Sequence, residues 1–173
     1  DDDQAIYRWA GADVDRFIDI PGTNRVLDQS YRTPKKIQDL ANNVINRVKH
    51  RKDKEWSPRK DEENVFHVGS SQFIEREISN GGEWLILSRN RKFLSAWKHL
   101  DEPPRVRVST IHSAKGGEAD NVVLIPDITP RVFNWLQSPD GYDDECRVFY
   151  VGITRARNNL YVMEPVTTRN FDI

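Results

Sequence analysis

The sequence predicts an α/β fold, a mainly parallel sheet enclosed by helices in three layers, on three observations. Leu85-Ile86-Leu87 and Val122-Val123-Leu124-Ile125 are continuously apolar, as strands covered on both faces of a parallel sheet are. Short apolar runs alternate with stretches of helical spacing along the chain, the pattern of helices that cross between parallel strands. The clearest of these stretches, Pro34 to Val48, sets Ile37, Leu40, Ala41, Val44, Ile45 and Val48 at helical spacing.

In chain order, Arg25–Asp28 reads as the first strand. The Pro34–Val48 helix follows, with Thr33 able to cap it and Pro34 suited to its first turn. Arg51–Asn64 is the expected mobile loop. Val65–Val68 is then a strand, Phe73–Ile78 a helix, Trp84–Ser88 a strand and Arg91–Leu100 a helix. Asp101–Arg105, with Pro103-Pro104, is a hard turn into the strands Val106–Ser109 and Asn121–Ile125. Helices are expected at Arg131–Leu136 and Asp143–Ala156, and a last strand at Leu160–Met163. Cys146, Phe149, Tyr150 and Ile153 share one face of the last helix, so Thr154, Arg155 and Arg157 should project together from its far end.

A chain of 173 residues suits one domain. No apolar run approaches the ~18–20 residues of a membrane span, and a single Cys excludes an internal disulfide and a Cys-based zinc cluster. A cytoplasmic protein is expected. The net charge of −1 gives no global attraction to nucleic acid. Residues 1–60 nevertheless carry +3 and the remainder −4. The basic excess gathers at Arg47, Lys49, Arg51, Lys52, Lys54, Arg59 and Lys60, where a solvated loop is expected, so any nucleic-acid contact must come from a local groove. The only Met is Met163 and the chain opens Asp1-Asp2-Asp3, which suggests part of a longer polypeptide.

Four segments place polar residues where strands end or helices begin, and ligands of open parallel sheets gather there. In DDDQAIYRWAGAD (Asp1–Asp13), Gln4 can bond a phosphate oxygen or a water, with Tyr7 and Trp9 close by. In LDQSYRTPKKI, Tyr31 and Arg32 precede the long helix. In VSTIHSAKGGEADNVVLI, Thr110 and His112 end a strand, and the paired glycines Gly116 and Gly117 allow close backbone approach to a ligand. DECRVFYVGITRARNNLYVM carries Thr154, Arg155 and Arg157. Taken singly, each has a bland reading: core aromatics, an ordinary turn, surface arginines.

In this order the four resemble motifs III, IV, V and VI of superfamily 1 helicases of the UvrD/Rep type, in a compact phage or bacterial form. DDDQAIYRWAGAD is similar to the third, YRTPKKIQDLAN to the fourth, TIHSAKGGEAD to the fifth and VFYVGITRAR to the sixth. The resemblance implies the second RecA-like motor domain over residues 25–173. Residues 1–24 would be the tail of the first such domain and a linker. ATP with Mg²⁺ would then bind in a cleft against a preceding RecA-like domain of the same polypeptide, which would supply the metal ligands. Gln4 would sense the γ-phosphate and its attacking water, Tyr31 stack on adenine, and Arg32 reach the γ-phosphate. Glu118 would contact the ribose beside Gly116, and Arg155 would act as an arginine finger. Tyr7 and Trp9 would stack on bases of single-stranded DNA, and Thr110, His112 and Arg89 would contact the strand. The partners implied are single-stranded DNA and duplex junctions, with 3′→5′ polarity, and no membrane.

Three departures stand out. No GxxxxGK[ST] loop occurs in these residues. Only Arg91–Ser109 separate the Ser88-Arg89-Asn90 strand end from the fifth motif, where relatives carry a large inserted domain. Ala10, Gly117 and Ala119 replace the usual Arg, Leu and aromatic residue. A DNA-binding or scaffold module without catalysis is the competing reading, against which the intact Gln4, Tyr31, Arg32 and Arg155 speak.

Overall fold

The structure, a computed structural model, describes residues 1–21, 29–54, 57–59 and 64–173. A two-stranded parallel pair comes first, β1 (Gln29–Pro34) with β2 (Ser57–Arg59). The main sheet holds β3 (Asn64–Val68), β4 (Trp84–Ser88), β5 (Val106–Thr110), β6 (Ala119–Ile125) and β7 (Ala156–Met163). All five are parallel, in the order β3-β7-β6-β4-β5. Every residue of β4 is buried, because it has strand neighbours on both edges and a helical layer on both faces.

Alternation along the strands builds two cores. Leu85, Leu87, Val122, Leu124, Leu160 and Val162 join Ile37, Val44 and Phe149 in one. Trp84, Ile86, Val123, Ile125, Tyr161 and Met163 join Ile74, Ile78, Leu94 and Trp97 in the other. Helices α1 (Val14–Ile18), α2 (Lys35–Ile45), α3 (Ser71–Ser79), α4 (Pro130–Leu136) and α5 (Pro139–Ile153) complete the layers with short 3₁₀ turns at Asp2–Gln4 and Arg8–Ala10. From Glu145 to Ile153 every residue of α5 is buried, since α2, α4, β6 and the Asp2–Gln4 turn all pack on it. A helix apolar on most sides is a core helix. Among the described residues no helix is long and apolar enough to cross a membrane.

The expected three-layer α/β fold stands, with corrections at its edges. The helix expected at Asp143–Ala156 starts at Pro139 and stops at Ile153, because the Ser138 side chain caps it on Gly141 N–H and Ala156 already pairs in β7. Arg91–Leu100 is 3₁₀ rather than α. With about three residues per turn, Leu94, Trp97 and Leu100 fall on one line and pack into the second core. Pro34 ends β1 and caps α2 by position, with no side-chain hydrogen bond, and Thr33 lies inside the strand. The strand expected at Arg25–Asp28 lies outside the described residues. The basic stretch is not a solvated loop throughout: Arg51 and Lys54 lie inside an ion-pair network, and Ser57–Arg59 forms β2.

Candidate functional site

The site grows from the crossover between β5 and β6. β5 ends at Thr110, at the carboxyl edge of the sheet, and β6 starts at Ala119 at the opposite edge, so residues 111–118 must run the height of the sheet. Buried Ile111 and Ala114 pin that run to the core. The Thr110 hydroxyl starts it, donating to Ser113 Oγ (2.9 Å) and accepting from Ser113 N–H (3.2 Å). Gly116 turns it with φ +88°, and among the described residues no atom beyond its own chain neighbours lies within 4 Å of where a Cβ would stand, so backbone is open to a ligand there.

The N-terminal segment lies along this crossover. Tyr7 Oη donates to the His112 carbonyl at 2.7 Å, and the two rings meet edge to face with centroids 5.9 Å apart. Lys115 Nζ donates to the Gln4 carbonyl at 2.8 Å and stands 5.2 Å from the Tyr7 ring centroid. Gln4 and Tyr7 are therefore tied to successive points of one crossover. Burial pushes the His112 pKa down to about 4, with Arg89 and Lys115 acting the same way against a hydrogen bond to the Ile6 backbone. His112 is neutral at pH 7, so its ring can donate a hydrogen bond but carries no charge.

At the carboxyl ends of β4, β5 and β6 a cavity of about 920 Å³ opens, lined among others by Arg8, Arg89, His112, Arg131, Trp135 and Asp144. Arg89 grips the buried Glu145 carboxylate with two nitrogens, at 2.8 and 3.0 Å. Arg8 bonds Asp15 at 3.1 Å and reaches Asp140 and Asp144 at 3.9 Å each. Asp144 Oδ1 is buried without a hydrogen-bond partner among the described residues. Burial raises its pKa against the pull of Arg8 and Arg147. The arginines of the lining are matched by Asp140, Asp144 and Glu145, so a nucleic acid would be held here by stacking and hydrogen bonds more than by net charge. Sequence reasoning missed Trp135, which is 45% exposed at the cavity. The available signal was the inward face set by Val132, Phe133 and Leu136, which leaves Trp135 outside it.

At the other edge the expected arginine cluster separates. Arg155 is 1% exposed and folds back on the carboxyl end of α5. Its Nε donates to the Val151 carbonyl (3.0 Å), Nη1 to the Gly117 carbonyl (3.2 Å) and Nη2 to Thr154 Oγ1 (3.5 Å), where a cation also meets the negative end of the helix dipole. Thr154 is itself buried and donates to the Tyr150 carbonyl at 2.9 Å. Arg157 turns instead to Asp120 (3.1 Å), Glu118 (3.6 Å) and Glu83. The three do not project together, because α5 ends before them and Arg157 already belongs to β7. The structure thus gathers Gln4, Tyr7, His112, Gly116, Glu118 and Arg155 around one crossover. Tyr31 and Arg32 lie on β1 and Trp9 in the Arg8–Ala10 turn, their side chains outside the description. Among the described residues no group of three or more His, Cys, Asp or Glu could hold a metal ion.

A parallel three-layer sheet whose β5–β6 crossover carries the polar residues defines the class as a RecA-like α/β domain. The solved C-terminal domain of a "possible DNA helicase" from Lactobacillus plantarum WCFS1 shares this fold, with TM-score 0.52 and 19% identity over 81% of this chain and 90% of that one. Residues 85–165 match the UvrD-like helicase C-terminal domain family. The ATP-dependent DNA helicase PcrA of Bacillus subtilis is 33% identical over 102 residues, covering 55% of this chain and 14% of PcrA. A "probable DNA helicase" of Mycoplasma pneumoniae is 27% identical across 99% of this chain and 38% of its own length. That alignment, 215 residues long, exceeds the 173 of this chain. Residues 85–165 are thus similar to the UvrD-like helicase C-terminal domain, and just over half of the chain to PcrA. The chain spans about 14% of the first PcrA relative.

Proposed function

We propose that this chain is the second motor domain of an ATP-dependent DNA helicase, which couples ATP hydrolysis to movement along single-stranded DNA and to duplex unwinding. The observation that carries the reading is the single crossover that joins the carboxyl-edge cavity to the Gly116–Glu118 turn, with Tyr7 and Gln4 bonded along it. The names of its relatives, ATP-dependent and probable DNA helicases, support the same reading.

In this proposal residues 25–173 form the motor domain and residues 1–24 lead into it from a first RecA-like domain. The nucleotide would meet the open Gly116 backbone and Glu118 from one side, with Tyr31 on the adenine and Arg32 and Gln4 toward the γ-phosphate. When bound, ATP with Mg²⁺ supplies the phosphoryl group whose transfer to water drives the cycle. The residues here orient that group, and Arg155, once turned from its helix end, would offset charge that develops on it. The DNA strand would follow the opposite edge. There Thr110, its hydroxyl turned from Ser113, and neutral His112 would donate to phosphates, Tyr7 and Trp9 would stack on bases, and Arg89, gripped by Glu145, would border the track. Movement of the crossover would carry a change at Gln4 to the strand at His112.

Trp9 decides between a motor and a plain nucleotide hydrolase. As a base platform, Trp9→Ala should leave the melting temperature within a degree or two and weaken single-stranded DNA binding by about tenfold to a hundredfold. A melting curve beside a DNA titration at fixed salt checks this. A core Trp would behave oppositely, costing ~3–5 kcal/mol of stability with unchanged affinity, and that result would remove the platform.

A further inference from the structure

We propose that Arg51, Lys54 and Arg147 are positioning residues that clamp the Asp1–Asp3 segment against α5 and so set where Gln4 stands relative to Arg155. The proposal rests on the roles given above to Gln4 and Arg155, and it explains why the basic residues after α2 are drawn inward.

Asp2 and Asp3 are 1% and 0% exposed. Arg51 takes the Asp3 carboxylate with a two-pronged grip, Nε to Oδ1 and Nη2 to Oδ2, both at 3.1 Å. Lys54 Nζ adds a bond to Asp3 Oδ2 at 2.8 Å, one to Asp1 Oδ1 at 3.3 Å, and a contact with Asp2 Oδ1. Lys52 N–H donates to Asp2 Oδ2 at 2.9 Å. From α5, Arg147 Nε donates to the Asp2 carbonyl at 3.1 Å and Nη2 to the His50 carbonyl at 2.7 Å. Arg51 Nη1 also reaches Asn46 Oδ1, just past α2, at 2.9 Å. Two separate pieces of chain, the Arg51–Lys54 segment and α5, therefore converge on the two residues that precede Gln4.

A network of this kind is a costly way to gain stability. Desolvating the charges offsets much of their attraction, and apolar side chains of similar volume often fill such a place as well or better. A fork on a carboxylate does what apolar packing does not, because it admits one relative orientation of the two groups. Its geometric product here is a fixed start for the Gln4 segment. Gln4 follows Asp3 directly, its carbonyl is held by Lys115 of the crossover, and Arg147 sits on the same buried helix that ends just before Arg155. Gln4 and Arg155 are thereby referred to one rigid element. A displacement of about 1 Å in a reacting constellation costs about a hundredfold in rate, so the clamp acts on turnover rather than on affinity.

The test uses the full-length protein that contains this chain, with Arg51→Lys, Lys54→Met, Gln4→Ala and the Arg51→Lys/Gln4→Ala pair. Arg51→Lys keeps the charge and loses the fork, which preserves folding. Lys54→Met is the second probe of the network. Expected for Arg51→Lys are a kcat for DNA-stimulated hydrolysis lowered by about tenfold to a hundredfold, with KM for ATP and single-stranded DNA affinity within about twofold. Amide hydrogen exchange over Gln4–Tyr7 should quicken in both clamp variants. The paired variant should lose no more than Gln4→Ala alone, since both act through one residue. Losses that multiply, or exchange over Gln4–Tyr7 that stays at the parent rate, overturn the clamp. A normal kcat in Gln4→Ala together with quickened exchange in Arg51→Lys overturns instead the role given to Gln4, so the two failures are told apart.

Discussion

Arg155 and His112 show how far a side chain's setting can differ from what its motif suggests. Arg155 fills three donor positions on the carboxyl end of α5 and the Gly117 carbonyl. Arg155→Ala in the full-length protein should therefore do two things at once. It should lower kcat by about three orders of magnitude with nucleotide affinity nearly intact, and it should lower the melting temperature by leaving the Val151 and Gly117 carbonyls short of a donor. An unchanged kcat with only the stability loss would make Arg155 a helix-end residue and pass the finger to Arg32. For His112 the prediction is a pH profile. Its folded pKa of about 4 lies below the 6.5 of an ordinary, solvated imidazole. As pH falls below ~6.5 the unfolded chain takes up a proton that the folded chain refuses until about pH 4, so stability drops across that window. His112→Gln should flatten the fall in melting temperature between pH 6.5 and 4. Parallel curves for parent and variant would show that the ring is not the titrating group.

The tightest joint between elements is the elbow between α4 and α5. A Cβ built on Gly141 would stand 1.9 Å from the Trp135 carbonyl oxygen and 2.6 Å from its carbon, both backbone. Gly141→Ala must therefore spread the elbow. A loss of at least ~2 kcal/mol is expected, on the order of 4–8 °C in melting temperature for a chain of this size. It should also disturb the cavity wall at Trp135. Thermal melts of the purified chain check it, and a neutral substitution would mean the elbow is laxer than its contacts imply. Elements of this kind divide by how their sequence encodes them. β4 and β6 were legible because burial on both faces leaves an unbroken apolar run. The start of α5 was not, since Pro139, Asp140 and Gly141 read as a turn, and only Ser138 capping Gly141 N–H makes them the first helical residues. The 3₁₀ character of Arg91–Leu100 was hidden for a related reason: spacings of three suit either helix, and packing against β4 and β5 decides.

For the whole molecule, the order of the motifs carried more than any residue in them. The Tyr7–His112 and Gln4–Lys115 contacts link residues more than a hundred positions apart, so no local pattern displays them. The acid–base clamp was equally hidden, because Arg51–Lys54 read as part of a solvated basic loop and nothing in the local sequence joins it to Asp1–Asp3. What the assembled molecule offers to the proposed nucleotide site is one side of it: an open glycine turn, Glu118 bonded to Arg157, and Arg155 at its helix end. The 173 residues contain no GxxxxGK[ST] loop to cradle the β- and γ-phosphates. The described ones offer no metal cluster. The chain by itself should then bind single-stranded DNA with an affinity that depends on Trp9, and should release no phosphate from ATP in the presence of that DNA and Mg²⁺. Highly purified chain followed by a phosphate-release assay checks this, with Arg155→Ala as the control for contaminating hydrolase. Release that DNA stimulates and Arg155→Ala abolishes would show that these residues suffice for hydrolysis, and the division of the site between two domains would have to be abandoned.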